Sequence, residues 1–143
     1  MRSPILFGVL SVVVAACSGG GAAPPTGHSC MKASDCYPGI DAGALAGEVT
    51  CLSLQGGYCS HTCTADTDCC KVAGECPTGI KEVCAPLESN AATYCFVSCD
   101  VADIAATPDG GADPNAYCKS FASSSFTCRS TGGGSSNRKF CGP

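Results

Sequence analysis

The sequence predicts a small disulfide-rich fold, with three tandem cysteine-rich units, short β-hairpins, one or two short helices and little regular core. Three observations carry this expectation. The chain holds 15 cysteines in 143 residues, a density typical of exported scaffolds held by cross-links. The cysteines recur with an internal period. Large apolar residues are sparse after the first twenty positions, and there is no Trp. A core drawn from Leu45, Leu52, Leu54, Ile80, Leu87, Phe96, Phe121 and Phe126 is thin, and small domains with thin cores need covalent staples.

Residues 1–16, MRSPILFGVLSVVVAA, read as a signal peptide. Arg2 precedes an apolar run from Ile5 to Ala16 that is short for a transmembrane helix. The run ends Val14-Ala15-Ala16-Cys17, which resembles the lipobox of bacterial lipoproteins, with Val14 where that family prefers Leu. The resemblance implies that Cys17 receives a thioether-linked diacylglycerol, becomes the mature N-terminus and is then N-acylated. Acyl chains at about 0.8 kcal/mol per buried CH₂ would hold such a protein durably on a membrane. Two competing readings are a short uncleaved anchor and ordinary cleavage that leaves Cys17 for a disulfide. Residues 17–29 form the lipidated Cys and a flexible tether, Gly-rich then Pro-rich over Ser18–Thr26. The neutral Ser18 after the lipobox cysteine implies outer-membrane sorting, on the periplasmic or the surface face.

The disulfide-rich domain spans 30–143, in units of about 30–62, 63–98 and 99–143. Cys30-MKASD-Cys36 aligns with Cys63-TADTD-Cys69, with Asp35 and Asp68 just before the second cysteine. A short alternating segment carrying a third cysteine follows, around Cys51, Cys84 and Cys128. A turn-rich stretch comes next, and an aromatic–Cys pair closes each unit: Tyr58-Cys59, Tyr94-Cys95 and Phe140-Cys141. Each unit therefore reads as an opening turn, a variable loop and a β-hairpin with one cysteine per arm. The closing aromatic is expected to pack on its own unit's disulfides. Unit 3, opened by Cys99, departs from the pattern: no cysteine stands near Ala105, and Cys118 comes later. Asp100 and Asp103 predict a short helix ending before Pro108. Asp113-Pro114 predicts a second helix start, with Tyr117, Cys118 and Phe121 on one face.

Units 1 and 3 carry four cysteines each and unit 2 carries six, with Cys70 and Cys76 the additional pair. Fourteen can pair internally, and the cysteine left over is Cys17. An interlaced pairing is adopted as the expectation, first with third and second with fourth. Cys70 would then pair with Cys76. Connectivity is not fixed by sequence, because eight cysteines already allow about a hundred pairings. A closed loop of about fifteen residues contributes roughly 3 kcal/mol in the chain-entropy model.

Several chemistries are weighed and set aside. Net charge is −4 and no basic stripe runs along the chain, which argues against nucleic acid as a partner. No Cys-x-x-Cys occurs, so zinc-knuckle and thioredoxin-like signatures are missing. His61, between Cys59 and Cys63, could complete a three-ligand set. The alternative, which is preferred, has both cysteines oxidised and His61 on the surface. Asp66 with Asp68, and Asp109 with Asp113, are paired loop carboxylates, but neither pair matches a calcium-loop pattern. The only imidazoles are His28 and His61, and no serine sits in Gly-x-Ser-x-Gly, so neither an enzyme nor a cofactor is expected.

Two local resemblances rest on cysteine spacing. Cys59, Cys63, Cys69-Cys70, Cys76 and Cys84 resemble the inhibitor cystine knot, and CTADTDCCKVAGEC loosely resembles the cysteine-rich region of dickkopf-type secreted proteins. The knot resemblance implies an inhibitor of exported proteases as the runner-up function, with Lys81 as its contact residue. The chain as a whole resembles the cysteine-rich lipoproteins of myxobacterial-type soil bacteria, in which a lipobox and a small-residue tether precede tandem cysteine-rich units. The leading expectation is a lipid-anchored extracytoplasmic module that contacts the membrane through its N-terminal lipid. Its role is structural or ligand-binding, toward an extracellular protein or glycan.

Overall fold

The computed structural model describes residues 26–76, 79–88, 91–105, 107, 113–121, 124–132 and 134–143. The expected signal peptide, Cys17, the expected tether up to residue 25, Pro108, Asp109 and the side chain of Phe121 lie outside the described residues. Within them the chain forms three antiparallel hairpins. β1 (Val49–Leu52) pairs with β2 (Tyr58–His61), β3 (Glu82–Pro86) with β4 (Thr93–Val97), and β5 (Thr127–Ser130) with β6 (Lys139–Gly142). The fold is small and disulfide-rich, with seven disulfides, two-stranded sheets and two short helices.

The register sets Cys51 opposite Cys59, Cys84 opposite Cys95 and Cys128 opposite Cys141. Directly opposed residues share a face of the hairpin. The opposed cysteines nevertheless do not bond to each other. Each reaches the opening segment of its own unit, giving Cys30–Cys51 with Cys36–Cys59, Cys63–Cys84 with Cys69–Cys95, and Cys99–Cys128 with Cys118–Cys141. First-to-third and second-to-fourth pairing thus runs through all three units, and unit 2 adds Cys70–Cys76.

The opening segments have a local reason for their shape. Asp35 Oδ2 accepts from the Met31 and Lys32 amides at 3.0 and 3.1 Å, closing a one-turn 3-10 helix at Ala33–Asp35. Asp68 Oδ2 does the same for Asp66–Asp68, accepting from the Thr64 and Ala65 amides at 2.8 and 3.1 Å and from Thr64 Oγ1 at 2.7 Å. The Thr64 and Ala65 donors hold the Asp68 carboxyl below its usual range. The aspartate before the second cysteine is therefore a cap that turns the chain toward the hairpin. In unit 3 two helices take this place. α1 (Val101–Ile104) is capped by Asp100, whose side chain accepts from the Ala102 amide, and Ile104 is buried beneath it. α2 (Pro114–Phe121) begins after Asp113, whose Oδ1 accepts from the Asn115 amide at 2.9 Å. Tyr117 and Cys118 face inward from α2, and burial pushes the Tyr117 phenol up to about 12.

The opposite faces of the hairpins build the core. Tyr58, Phe96 and Phe140, from β2, β4 and β6, meet with Phe126 in one aromatic cluster. Ring centroids lie 5.6 Å apart for Tyr58–Phe96, 4.6 Å for Phe96–Phe140 and 6.3 Å for Tyr58–Phe126. The expectation that each closing aromatic packs on its own disulfides fails for Tyr58, whose ring lies in the shared cluster while the unit 1 cysteines lie in another. Adjacent strand residues point to opposite faces, so the ring leaves Cys59. Phe140 does share its cluster with Cys99, Cys118 and Cys141 of its own unit. In unit 2 Phe96 takes the central place and Tyr94 is half-buried against the cluster. Leu52, Val83, Ala85, Val97, Cys99, Ile104, Tyr117, Cys118 and Cys141 complete this cluster, with Leu54, Ile80, Leu87, Tyr94 and Cys128 half-buried against it. Leu45 belongs to a separate small cluster with Tyr37 and the unit 1 disulfides.

Backbone and hydroxyl bonds tie one unit to the next. Ser60 Oγ donates to the Cys95 carbonyl at 2.7 Å. Single bridges join Thr62 to Tyr94 and Ser98 to Phe140. The folded body also takes in part of the segment expected as tether. The Gly27 amide donates to the Cys59 carbonyl at 2.9 Å, and the Cys59 amide donates to the His28 carbonyl at 2.8 Å. Gly27 lies at φ +84°, with a Cβ there only 3.3 Å from the Tyr58 hydroxyl, so the close approach suits glycine. Thr26 is buried.

Replacing Phe96 by Ala empties the centre of the aromatic cluster and should destabilise the oxidised protein by about 3–5 kcal/mol. Urea unfolding without reductant, followed by tyrosine fluorescence, checks this; a loss below about 1 kcal/mol would mean that the disulfides alone hold the units together.

Candidate functional site

Beneath the aromatic cluster, polar side chains from units 1 and 2 and from the N-terminal segment meet out of solvent. Thr26, His61, Glu75 and Glu82 are buried, as is Tyr37. His61, at the end of β2, is fully buried, which corrects its expected place on the surface. Its Nδ1 lies 2.9 Å from the Thr62 carbonyl and its Nε2 lies 2.7 Å from Glu75 Oε1. A ring nitrogen can meet a carbonyl only as a donor. Nδ1 therefore donates to that carbonyl, and Nε2 pairs with Glu75. Glu75 Oε2 accepts from the Val72 amide at 2.9 Å. Both Glu75 oxygens are thus partnered, and the loop 70–76 is pinned to β2.

Glu82 opens β3 and is built differently. Its Oε2 accepts from Thr26 Oγ1 at 2.9 Å, and Thr26 Oγ1 lies 2.9 Å from the Tyr37 hydroxyl. With the threonine proton given to Glu82, the Tyr37 hydroxyl donates to Thr26. Glu82 Oε1 is buried and, among the described residues, has no hydrogen-bond partner. Burial raises the Glu82 carboxyl well above its ordinary range; the Thr26 hydrogen bond opposes this and the charge of Glu75 adds to it. Burial also raises the Tyr37 phenol.

A Glu82 carboxylate oxygen and the sulfurs of Cys70 and Cys76 lie within 4.8 Å of one another. Those sulfurs form the additional disulfide of unit 2, with Cys70 exposed and Cys76 half-buried. An open groove of about 360 Å³ reaches Cys70, lined also by Asp66, Ile80, Lys81, Glu82, Val83, Asp103 and Arg138. Its rim charges are matched in pairs. Arg138 Nη2 lies 2.8 Å from Asp66 Oδ2, and Lys81 Nζ lies 3.5 Å from Asp103 Oδ1. Lys81 is exposed at its tip, while its carbonyl accepts from the Ser98 amide at 2.9 Å.

The structure separates several residues that the sequence groups together. Cys59 and Cys63 flank His61 in the chain but bond to Cys36 and Cys84. The other three-cysteine clusters, such as Cys30, Cys36 and Cys59, are likewise oxidised sulfurs already bonded in disulfides. Asp68 is a cap, and Asp66 binds Arg138 and the Cys84 amide. Glu75, Glu82, Tyr37 and Thr26 were not singled out by the sequence. Glu82-Val83-Cys84-Ala85 alternates as a surface strand would, and nothing local signals that a chain segment 56 residues earlier covers Glu82. No family model, curated protein or solved structure matches the chain.

Glu82 sets a pH dependence with a definite sign. Its folded carboxyl binds a proton more tightly than the unfolded chain does, so above its ordinary value of 4.5 the unfolded chain releases that proton first. This group's contribution to stability is present below that value and is lost as pH rises toward the folded pKa. Glu82→Gln should flatten the decline and be the more stable protein at neutral pH. Chemical denaturation of both proteins between pH 4 and 8 (about one pH unit per step) checks it; parallel curves would refute the assignment.

Proposed function

We propose that the chain is a lipid-anchored extracytoplasmic module whose cross-linked body has a structural or binding role toward an extracellular protein or glycan. Seven disulfides belong to an oxidising compartment outside the cytoplasm. Among the described residues no helix is long and apolar enough to cross a membrane. The observation that carries the anchor is a matter of parity. All fourteen cysteines from Cys30 to Cys141 are bonded to one another. Cys17 is the fifteenth, and it follows Val14-Ala15-Ala16. A single unpaired cysteine at the end of an apolar leader fits thioether lipidation. The resemblance of Ser18 and its surroundings to sorted lipoproteins favours the outer membrane as its place.

The binding role rests on rigidity. Each hairpin is fixed by two disulfides to its own opening turn, so the loops between are presented with little entropy left to lose on contact with a partner.

Intact mass of the protein taken from membranes, alkylated without reduction, tests the reading. The expected species starts at Cys17, carries acyl chains and has no alkylated thiol. An unacylated species would remove the anchor, and several alkylated thiols would remove the parity on which it stands.

A further inference from the structure

We propose that Cys70–Cys76 is an exchange-active disulfide, opened and closed by external thiols through the groove, with Glu82 as its proton donor and acceptor. This goes beyond the anchored module of the preceding subsection and does not depend on it.

Four features of the structure support this. The disulfide is additional to the pairing shared by all three units. The hairpins of units 1 and 3 form with two disulfides each, so opening this one leaves the scaffold of unit 2 in place. It closes a sequence separation of 6 residues, against 21 to 29 for the others, so its loss frees the least chain entropy. Its Cys70 end is exposed, whereas Cys59, Cys69, Cys95, Cys99, Cys118 and Cys141 are buried. Finally, both sulfurs lie near a buried carboxyl whose Oε1 has no hydrogen-bond partner among the described residues.

The chemistry balances with an external dithiol. A thiolate of that dithiol attacks Cys70 Sγ, which is open to the groove. The S–S bond breaks, a mixed disulfide forms and Cys76 leaves as a thiolate. A thiolate beside a half-buried site lacks full hydration, so it takes the proton of the Glu82 carboxyl. The second thiol of the reductant then attacks the mixed disulfide and displaces Cys70. The reductant leaves as a disulfide, and Cys70 and Cys76 remain as thiols. Closure is the reverse, with Glu82 accepting the Cys76 proton. Burial of Glu82 favours its protonated form, which the first step requires. The bonds of Glu75 to His61 and to the Val72 amide hold the loop while the sulfurs separate.

The experiment treats the full-length oxidised protein with limiting dithiothreitol, quenches it by alkylation and maps the labelled cysteines by mass. Cys70 and Cys76 should be labelled first and together, with the other twelve bonded cysteines unlabelled. Their opening rate, per thiolate of reductant, should fall as pH rises through the Glu82 titration. In Glu82→Gln that rate should be at least about ten-fold lower at acidic pH and independent of pH. First opening at another disulfide, or concerted opening of all seven, would overturn the proposal. So would a Glu82→Gln protein that opens at the native rate. Should that variant not fold, the labelling order and the pH profile of the native protein decide the matter by themselves.

Discussion

Everything in this fold depends on the way two opposed cysteines on a hairpin are held. In β1–β2, Cys51 faces Cys59 across the strands, yet each bonds back to the opening turn, to Cys30 and Cys36. Two rivets on one face fix the turn over the hairpin and set its register. A lone two-stranded hairpin is marginal in water. The clamp removes chain entropy from the unfolded state and so lets a short hairpin persist. The same arrangement in β3–β4 and β5–β6 gives three similar bodies.

A clamp on one face leaves the other face free for packing, and strand alternation decides what stands there. Tyr58 turns away from the sulfurs of its unit, and Tyr58, Phe96 and Phe140 meet each other. The units are thereby one body and not three beads: disulfides act within units, while aromatic burial and bonds such as Ser60 to Cys95 act between them. In units 1 and 2 the disulfides and the aromatic cluster occupy separate faces of the strands, whereas in unit 3 Cys99, Cys118 and Cys141 lie within the aromatic cluster itself.

The buried polar group is where this division meets a cost. Glu82 loses water, receives one hydroxyl from Thr26 and, among the described residues, keeps one oxygen unpaired. A buried carboxyl of that kind is unfavourable when charged. Its neighbours are a pinned glutamate on one side and an accessible disulfide on the other. An accessible disulfide beside a buried acid whose proton is held more tightly than usual has what the proposed thiol exchange needs: a sulfur that can be approached and a proton for the thiolate that leaves.

The residues alone made the small disulfide-rich class legible, because 15 cysteines and a thin apolar set leave few other folds. They also showed the repeat, the hairpins with one cysteine on each arm, and the helix starts at Asp100 and Asp113, since these rest on spacing and local hydrogen bonding. The opposite faces of Tyr58 and Cys59 are readable in strand alternation. What only the tertiary structure decided lies between segments. His61 is buried because a loop fourteen residues later brings Glu75 to it. Glu82 is buried because Thr26, from a stretch that reads as tether, closes over it. Such meetings depend on which disulfide draws which segment together. A pattern of neighbours along the chain contains no term for that.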